Sequence, residues 1–170
     1  MTTTNVSEVK VFVIQRTFNA SRALVWKAWT DHDSLMQWFG PKGVTMSAAK
    51  LDFRPGGIFH YCMQTPDGKA MWGKFTYREI VAPEKIVLIN SFSDEKGGVI
   101  RHPFSSTWPL EMVSTSTFAE KDGKTTITIS WVPYNPTDAE LDTFNSSHAS
   151  MQQGWTGTFD QLEAYLAKTK

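Results

Sequence analysis

Thr137-Asp138-Ala139-Glu140 opens the stretch whose reading decides the fold. Thr137 can cap a helix with its hydroxyl, and Glu140, three residues on, can reach back to the cap amide. Pro136 stands just outside, where a helix has not yet begun. Leu141, Phe144, His148, Met151, Trp155, Phe159, Leu162 and Leu166 then recur at steps of three and four. That spacing predicts one continuous helix from Thr137 to about Lys168, some eight turns long, with a single apolar stripe. A helix of this kind needs a partner face to bury the stripe.

Upstream, the chain supplies that face. Val9 to Phe18 is dense in β-branched and apolar residues and reads as a first strand. Asn19 is placed to cap a short helix carrying Ala23, Leu24, Trp26 and Ala28. Asp31 or Asp33 can start a second, with Leu35, Met36 and Trp38, stopped at Phe39-Gly40-Pro41-Lys42-Gly43. Six further strands follow: Val44 to Phe53, Ile58 to Gln64, Ala70 to Val81, Lys85 to Phe92, Leu110 to Ala119 and Thr125 to Val132. Arg54-Pro55-Gly56-Gly57, Thr65-Pro66-Asp67-Gly68 and Ala82-Pro83-Glu84 break them, and Asp122-Gly123 supplies a hairpin turn. Ser93 to Thr107 reads as a long connection. The expectation is an α+β domain over residues 9–170. A curved antiparallel sheet of about seven strands wraps the long helix, with two short helices after strand one. Residues 1–8 are expected to be a flexible N-terminus.

Composition narrows function. The chain has 170 residues, 17 Lys plus Arg against 17 Asp plus Glu, and no net charge. Nucleic acid as a main partner would leave a basic footprint, so none is expected. No apolar run reaches the length of a membrane span, so no membrane insertion is expected. Cys62 is the single cysteine and has no internal disulfide partner, which fits a reducing compartment. The first residues lack the basic-then-apolar pattern of a signal peptide. Cytoplasm is the expected location.

Several segments occur together in order: Phe18-Asn19-Ala20-Ser21 with Val25-Trp26, Gln37-Trp38-Phe39-Gly40-Pro41, Asp52-Phe53-Arg54-Pro55-Gly56-Gly57, Glu79 to Val87, and Gly154-Trp155 with Leu162 and Tyr165-Leu166. As a set they resemble the SRPBCC superfamily, which includes START domains and the birch-pollen-allergen fold. Within it they are similar to the group named for the C-terminal domain of the activator of the heat-shock protein 90 ATPase. The resemblance implies the helix-grip fold and an internal hydrophobic cavity, and no single reaction. Two positions depart from the pattern: Ala20 where Pro is frequent, and Asn90 where Trp is frequent. The separate N-terminal domain of the eukaryotic activator has no counterpart here, which counts against a chaperone partner. A homodimer stays open.

The residues that could carry chemistry are few. His32, His60, His102 and His148 show no metal-ligand spacing, and no metal or cofactor is expected. No nucleophile–base spacing occurs, so no catalytic residue is assigned. His60 and His148 could form an acid/base pair only if both faced inward. Arg16 and Glu111 are charges embedded in apolar strands, and a solvated face is the simpler reading for both. Arg54-Pro55-Gly56-Gly57 reads as a tight turn rather than a phosphate loop. Met63, Met71, Met112 and Met151 suit an adaptable pocket. Gly154 and Gly157 each cost a helix about 1 kcal/mol and so need an offset, close packing or a deformable point. The expected function is binding of a lipophilic or amphipathic small molecule. Trp72, Met112 and Trp131 stand on the sheet side of its site, and His148, Met151, Trp155 and Phe159 on the helix side. A cyclase- or hydrolase-type enzyme using the same cavity and a co-chaperone-like stress-response protein are the alternatives.

Overall fold

A computed structural model describes residues 8–103 and 105–169. The elements run in the order β1 (Phe12–Phe18), α1 (Arg22–Thr30), α2 (His32–Trp38), β2 (Thr45–Leu51), β3 (Ile58–Gln64), β4 (Ala70–Val81), β5 (Lys85–Ser93), β6 (Val99–Ile100), β7 (Met112–Lys121), β8 (Lys124–Pro133), α3 (Asp138–Ser146) and α4 (His148–Thr169). The strands form one antiparallel sheet in the order β1-β8-β7-β5-β4-β3-β2, with β6 pairing β5 off that path. This is the α+β, helix-grip arrangement expected from the sequence. Of the N-terminal segment expected to be flexible, residues 1–7 lie outside the described residues. Glu8 is described, and its carbonyl accepts from the Asn145 side chain at 3.0 Å.

The long C-terminal helix differs from expectation in one respect. It is two helices, parted at Ser147 (φ −109°, ψ 12°). Asn145, Ser146 and Ser147 are weak helix formers whose side chains compete for backbone groups. Ser147 Oγ donates to the Thr143 carbonyl at 2.6 Å and Ser146 Oγ to that of Asp142 at 3.0 Å. Asn145 turns its amide to the start of β1, accepting from Lys10 N at 2.9 Å. The capping box itself is present: Thr137 Oγ1 accepts from Glu140 N, and Glu140 Oε1 from Thr137 N.

Other caps and turns follow their residues. Ser21, not Asn19, caps α1, its hydroxyl accepting from Leu24 N, and Asp31 caps α2. Trp38 Nε1 donates to the Ala28 carbonyl at 2.8 Å, tying the two short helices together. At residues 54–57 the tight turn is obligatory. A Cβ on Gly57 would lie 2.0 Å from the Asp52 carbonyl oxygen, and Gly56 has φ +83°. At the β7–β8 hairpin, Asp122 (φ 54°) and Gly123 (φ 77°) both take left-handed backbone, as a two-residue turn of that twist requires.

One face of the sheet and the apolar faces of the helices make the core. Phe18, Phe59, Phe75, Ile86, Phe118 and Ile127 from the strands pack with Trp38, Phe159, Leu162 and Leu166 from the helices. A smaller cluster joins Phe12, Met112, Phe144 and Met151 at the α3–α4 break. Trp131 and Trp155 touch both clusters.

Candidate functional site

Between the sheet and α4 lies a cavity of about 290 Å³. Its helix side is Met151, Gly154, Trp155 and Thr158. Its sheet side includes Tyr61, Met63, Phe75, Asn90, Met112 and Trp131. Trp29 of α1, Gly40 and Pro41 after α2, and His102, Trp108 and Pro109 of the connection before β7 complete the wall. Among the described lining residues there is no Lys, Arg, Asp or Glu. The two lining groups that titrate with a perturbed pKa are held toward neutrality. Burial pushes the Tyr61 phenol up and the His102 imidazole down. The wall is therefore uncharged at neutral pH, with hydroxyl, amide, indole and imidazole groups set in an apolar surface.

The sequence-predicted site residues divide into three groups. Met112, Trp131, Met151 and Trp155 line the cavity, as do Met63 and Met71. Trp131 and Trp155 meet edge to face at 5.8 Å, and Trp131 Nε1 donates to Ser114 Oγ at 2.9 Å, so its ring is held in place.

Trp72 borders the cavity, but its side chain goes the other way. It is paired with Cys62 and flanked by Met71 and Gly73, which alternate to the inner face. Its ring stacks on His60 at 4.8 Å on the outer face. His148 and Phe159 are not lining residues. His148 sits edge-on to Phe12 and Phe144 beside the helix break. Phe159 is fully buried against Phe18. His60 and His148 are thus not brought together. His60 Nε2 lies 3.0 Å from the Asp94 carbonyl oxygen on the outer side.

Arg16 overturns the solvated-face reading. It stands on the helix-facing side, paired with Asp160 at 2.8 Å, its guanidinium 5.5 Å over the Phe159 ring. It is a clasp between β1 and α4 and does not line the cavity.

The two helix glycines have different causes. A Cβ on Gly157 would come within 3.1 Å of Lys42 N, so α4 approaches the loop after α2 closely enough that a side chain there would have to push the loop back by a few tenths of an ångström. Gln161 holds that approach, its Nε2 donating to the Gly40 carbonyl at 2.7 Å. A Cβ on Gly154 would meet nothing within 4 Å, because it would enter the cavity. Gly154→Ala is therefore expected to stabilise the protein by about 1 kcal/mol through helix propensity alone. Gly157→Ala should gain nothing or lose, since the same propensity is spent on displacing the loop. Thermal melts of the two variants check this, and equal gains at both sites would deny the close approach its role.

Asn90, Tyr61 and His102 are polar wall residues that were not assigned to the site from sequence. For Asn90 a signal existed in its departure from the family pattern directly after the apolar run Ile86-Val87-Leu88-Ile89. His102 lies in a connection with no periodicity to orient it.

Among the described residues, no group of three or more His, Cys, Asp or Glu is placed to hold a metal ion. Among the same residues, no helix is long and apolar enough to cross a membrane.

Known structures share this architecture. A crystal structure of a Nitrosomonas europaea protein superimposes with TM-score 0.75 at 21% identity, covering 96% of this chain and 97% of the other. A Mycobacterium smegmatis protein does so with TM-score 0.74 at 23% identity, covering 97% and 99%. A Silicibacter pomeroyi protein described as AHSA1 gives TM-score 0.73 at 17% identity, covering 95% and 100%. At these identities the likeness concerns the fold. Among curated proteins none matches this chain. The sequence model of one family, activator of Hsp90 ATPase homolog 1-like protein, matches residues 19–167. With nearly the whole chain matched and the helix-grip architecture in place, this protein belongs to the activator of Hsp90 ATPase homolog 1-like family.

Proposed function

We propose that this protein binds a lipophilic or amphipathic small molecule in the cavity between the sheet and α4. The observation that carries the reading is a space of about 290 Å³ walled by aromatic and methionine side chains, with no charged one among its described lining residues. A packed core has no use for such a space, since each void forfeits dispersion contacts. Four methionines at the wall, Met63, Met71, Met112 and Met151, can adjust to more than one shape. Desolvation supplies the affinity. Burying about 300 Å² of ligand apolar surface at about 25 cal/mol per Å² contributes roughly 7.5 kcal/mol before association costs. Those costs remove several kcal/mol, so micromolar to millimolar binding is the expected range.

Trp29, Trp131 and Trp155 at the wall make the test direct. Tryptophan emission is expected to change saturably on titration with fatty alcohols, sterols or aromatic polyketides. Gly154→Leu should abolish the response, because its side chain grows into open space rather than into packed atoms. Its thermal stability should stay at or above that of the wild type. A broad panel giving neither saturable emission change nor thermal shift would sink the proposal.

A further inference from the structure

Asn90 is out of keeping with its surroundings. It sits mid-strand in β5, opposite Phe75 of β4 and Met112 of β7. Leu88 and Phe92, two residues to either side, share its face. All five residues line the cavity. Its Oδ1 is buried and accepts no hydrogen bond from the protein. The wall holds a second case: Trp29, also a lining residue, has a buried Nε1 with no acceptor. Buried polar atoms are nearly always paired, and an orphaned one destabilises the fold. A leucine would fill the Asn90 position at no such cost. What Asn90 offers that leucine does not is a planar edge with one acceptor and two donor hydrogens.

The other half of the argument is what the wall lacks. A ligand carboxylate, phosphate or ammonium in this cavity would meet no opposite charge among the lining residues. The pKa directions of Tyr61 and His102 keep those groups neutral, and burying an unpaired ion is prohibitive. The polar demand of the wall is therefore for neutral hydrogen-bonding groups.

We infer that the cavity selects uncharged, planar ligands that present an adjacent donor and acceptor, such as a lactam or carboxamide edge on an aromatic ring system, and that Asn90 reads this edge. The inference rests on the small-molecule-binding reading of the same cavity. Asn90 is a specificity-determining residue in it. A turn about χ2 brings Oδ1, closed off in the ligand-free chain, and the side-chain NH₂ to the ligand edge in one plane, while the apolar remainder of the ligand lies among Met112, Phe75 and the Trp131–Trp155 pair. Selectivity arises because a hydrocarbon of the same shape leaves the Asn90 amide unpaired, whereas a lactam pairs it.

The test uses three bicyclic probes of nearly one size: 2-quinolinone, naphthalene and 2-naphthoate. Each is titrated into the full chain by tryptophan emission and by calorimetry. The wild type should bind 2-quinolinone at least tenfold more tightly than naphthalene, and 2-naphthoate most weakly. In Asn90→Leu the preference for 2-quinolinone should fall to within about twofold, with naphthalene affinity kept or raised. The melting temperature of the ligand-free variant should rise, since an orphaned amide has been removed. If none of the probes binds while members of the lipophilic panel do, the selection for planar amides is overturned and the cavity reading stands; if the panel also fails, the cavity reading itself fails. If naphthalene binds as well as 2-quinolinone, or Asn90→Leu leaves their ratio unchanged, the cavity reading stands and the role of Asn90 is overturned. Tightest binding of 2-naphthoate would overturn the selection for uncharged ligands. A lower melting temperature for Asn90→Leu would mean that the amide is paired within the protein, and would also overturn it.

Discussion

Replacing Phe159 by alanine is expected to cost about 3–5 kcal/mol of folding stability. The ring has no solvent exposure and meets Phe18 edge to face at 5.5 Å, with Trp155 at 5.5 Å beside it. The Arg16 guanidinium covers its face, held there by Asp160. Deleting the ring removes its transfer energy and leaves a void between β1 and α4 that hydrogen-bonded strands and a two-ended clasp cannot close. Because Phe159 is not a wall residue of the cavity, no pre-existing space softens the loss. In urea the unfolding midpoint should fall while the slope is unchanged, which marks a change in stability rather than in the denatured ensemble. A loss below about 1 kcal/mol would mean that α4 is not seated on β1 through this residue.

That prediction concerns a residue of the helix stripe that was expected at the ligand site and that meets packed atoms instead. A stripe of period 3.6 says which residues face the sheet, and it does not say which of them meet packed atoms and which meet space. Met151 and Trp155 meet the cavity, while Phe159 meets Phe18.

The break at Ser147 escaped for a related reason. The steps from Phe144 to His148 to Met151 stay in helical phase across it, so hydrophobic spacing is blind to the interruption. Only the Asn145-Ser146-Ser147 run, with side chains that bond to backbone, carried the signal. Strand β6 is two residues long, too short for any periodicity.

The facing of Trp72 was legible in principle. A glycine within a strand marks close approach of another group. Here a Cβ on Gly73 would lie 2.4 Å from the Tyr61 ring. Since Gly73 faces the ring-lined interior, Trp72 faces out. The antiparallel order, the turns and the capping box were legible because each rests on local chemistry of a few adjacent residues.

Glu140 carries the second large effect, and it links that capping box to the cavity. The carboxylate is nearly buried, at 5% exposure. It accepts from Thr137 N at 2.8 Å, from Leu110 N at 3.1 Å and from the Arg101 guanidinium, which also donates to the Trp108 carbonyl at 3.3 Å. The start of α3 and both ends of the connection before β7 are thereby pinned to one side chain. That connection brings His102, Trp108 and Pro109 to the cavity wall. Glu140→Ala removes the reciprocal half of the cap and leaves two backbone amides without acceptors. The expected loss is about 2.5–4 kcal/mol at pH 7, from a cap worth about 1 kcal/mol and charge-assisted bonds worth about 1.5–3 kcal/mol. Arg101 is half-exposed, so the amides contribute more than the ion pair does.

The pH dependence identifies the carboxylate. Burial works to raise the Glu140 pKa, but the Thr137 amide, the Arg101 guanidinium and the Leu110 amide together hold it below the ordinary value of 4.5. The unfolded chain therefore takes up this proton at higher pH than the folded one, and stability rises with pH across that interval. The contribution is complete above the ordinary glutamate range and is lost as pH falls through the depressed folded value. The stability difference between the wild type and Glu140→Gln, measured by denaturant titration from pH 7 to pH 3, should be largest at neutral pH and shrink below about pH 4.5. A difference that stays constant over that range would show that the charge of Glu140 does not hold the connection in place.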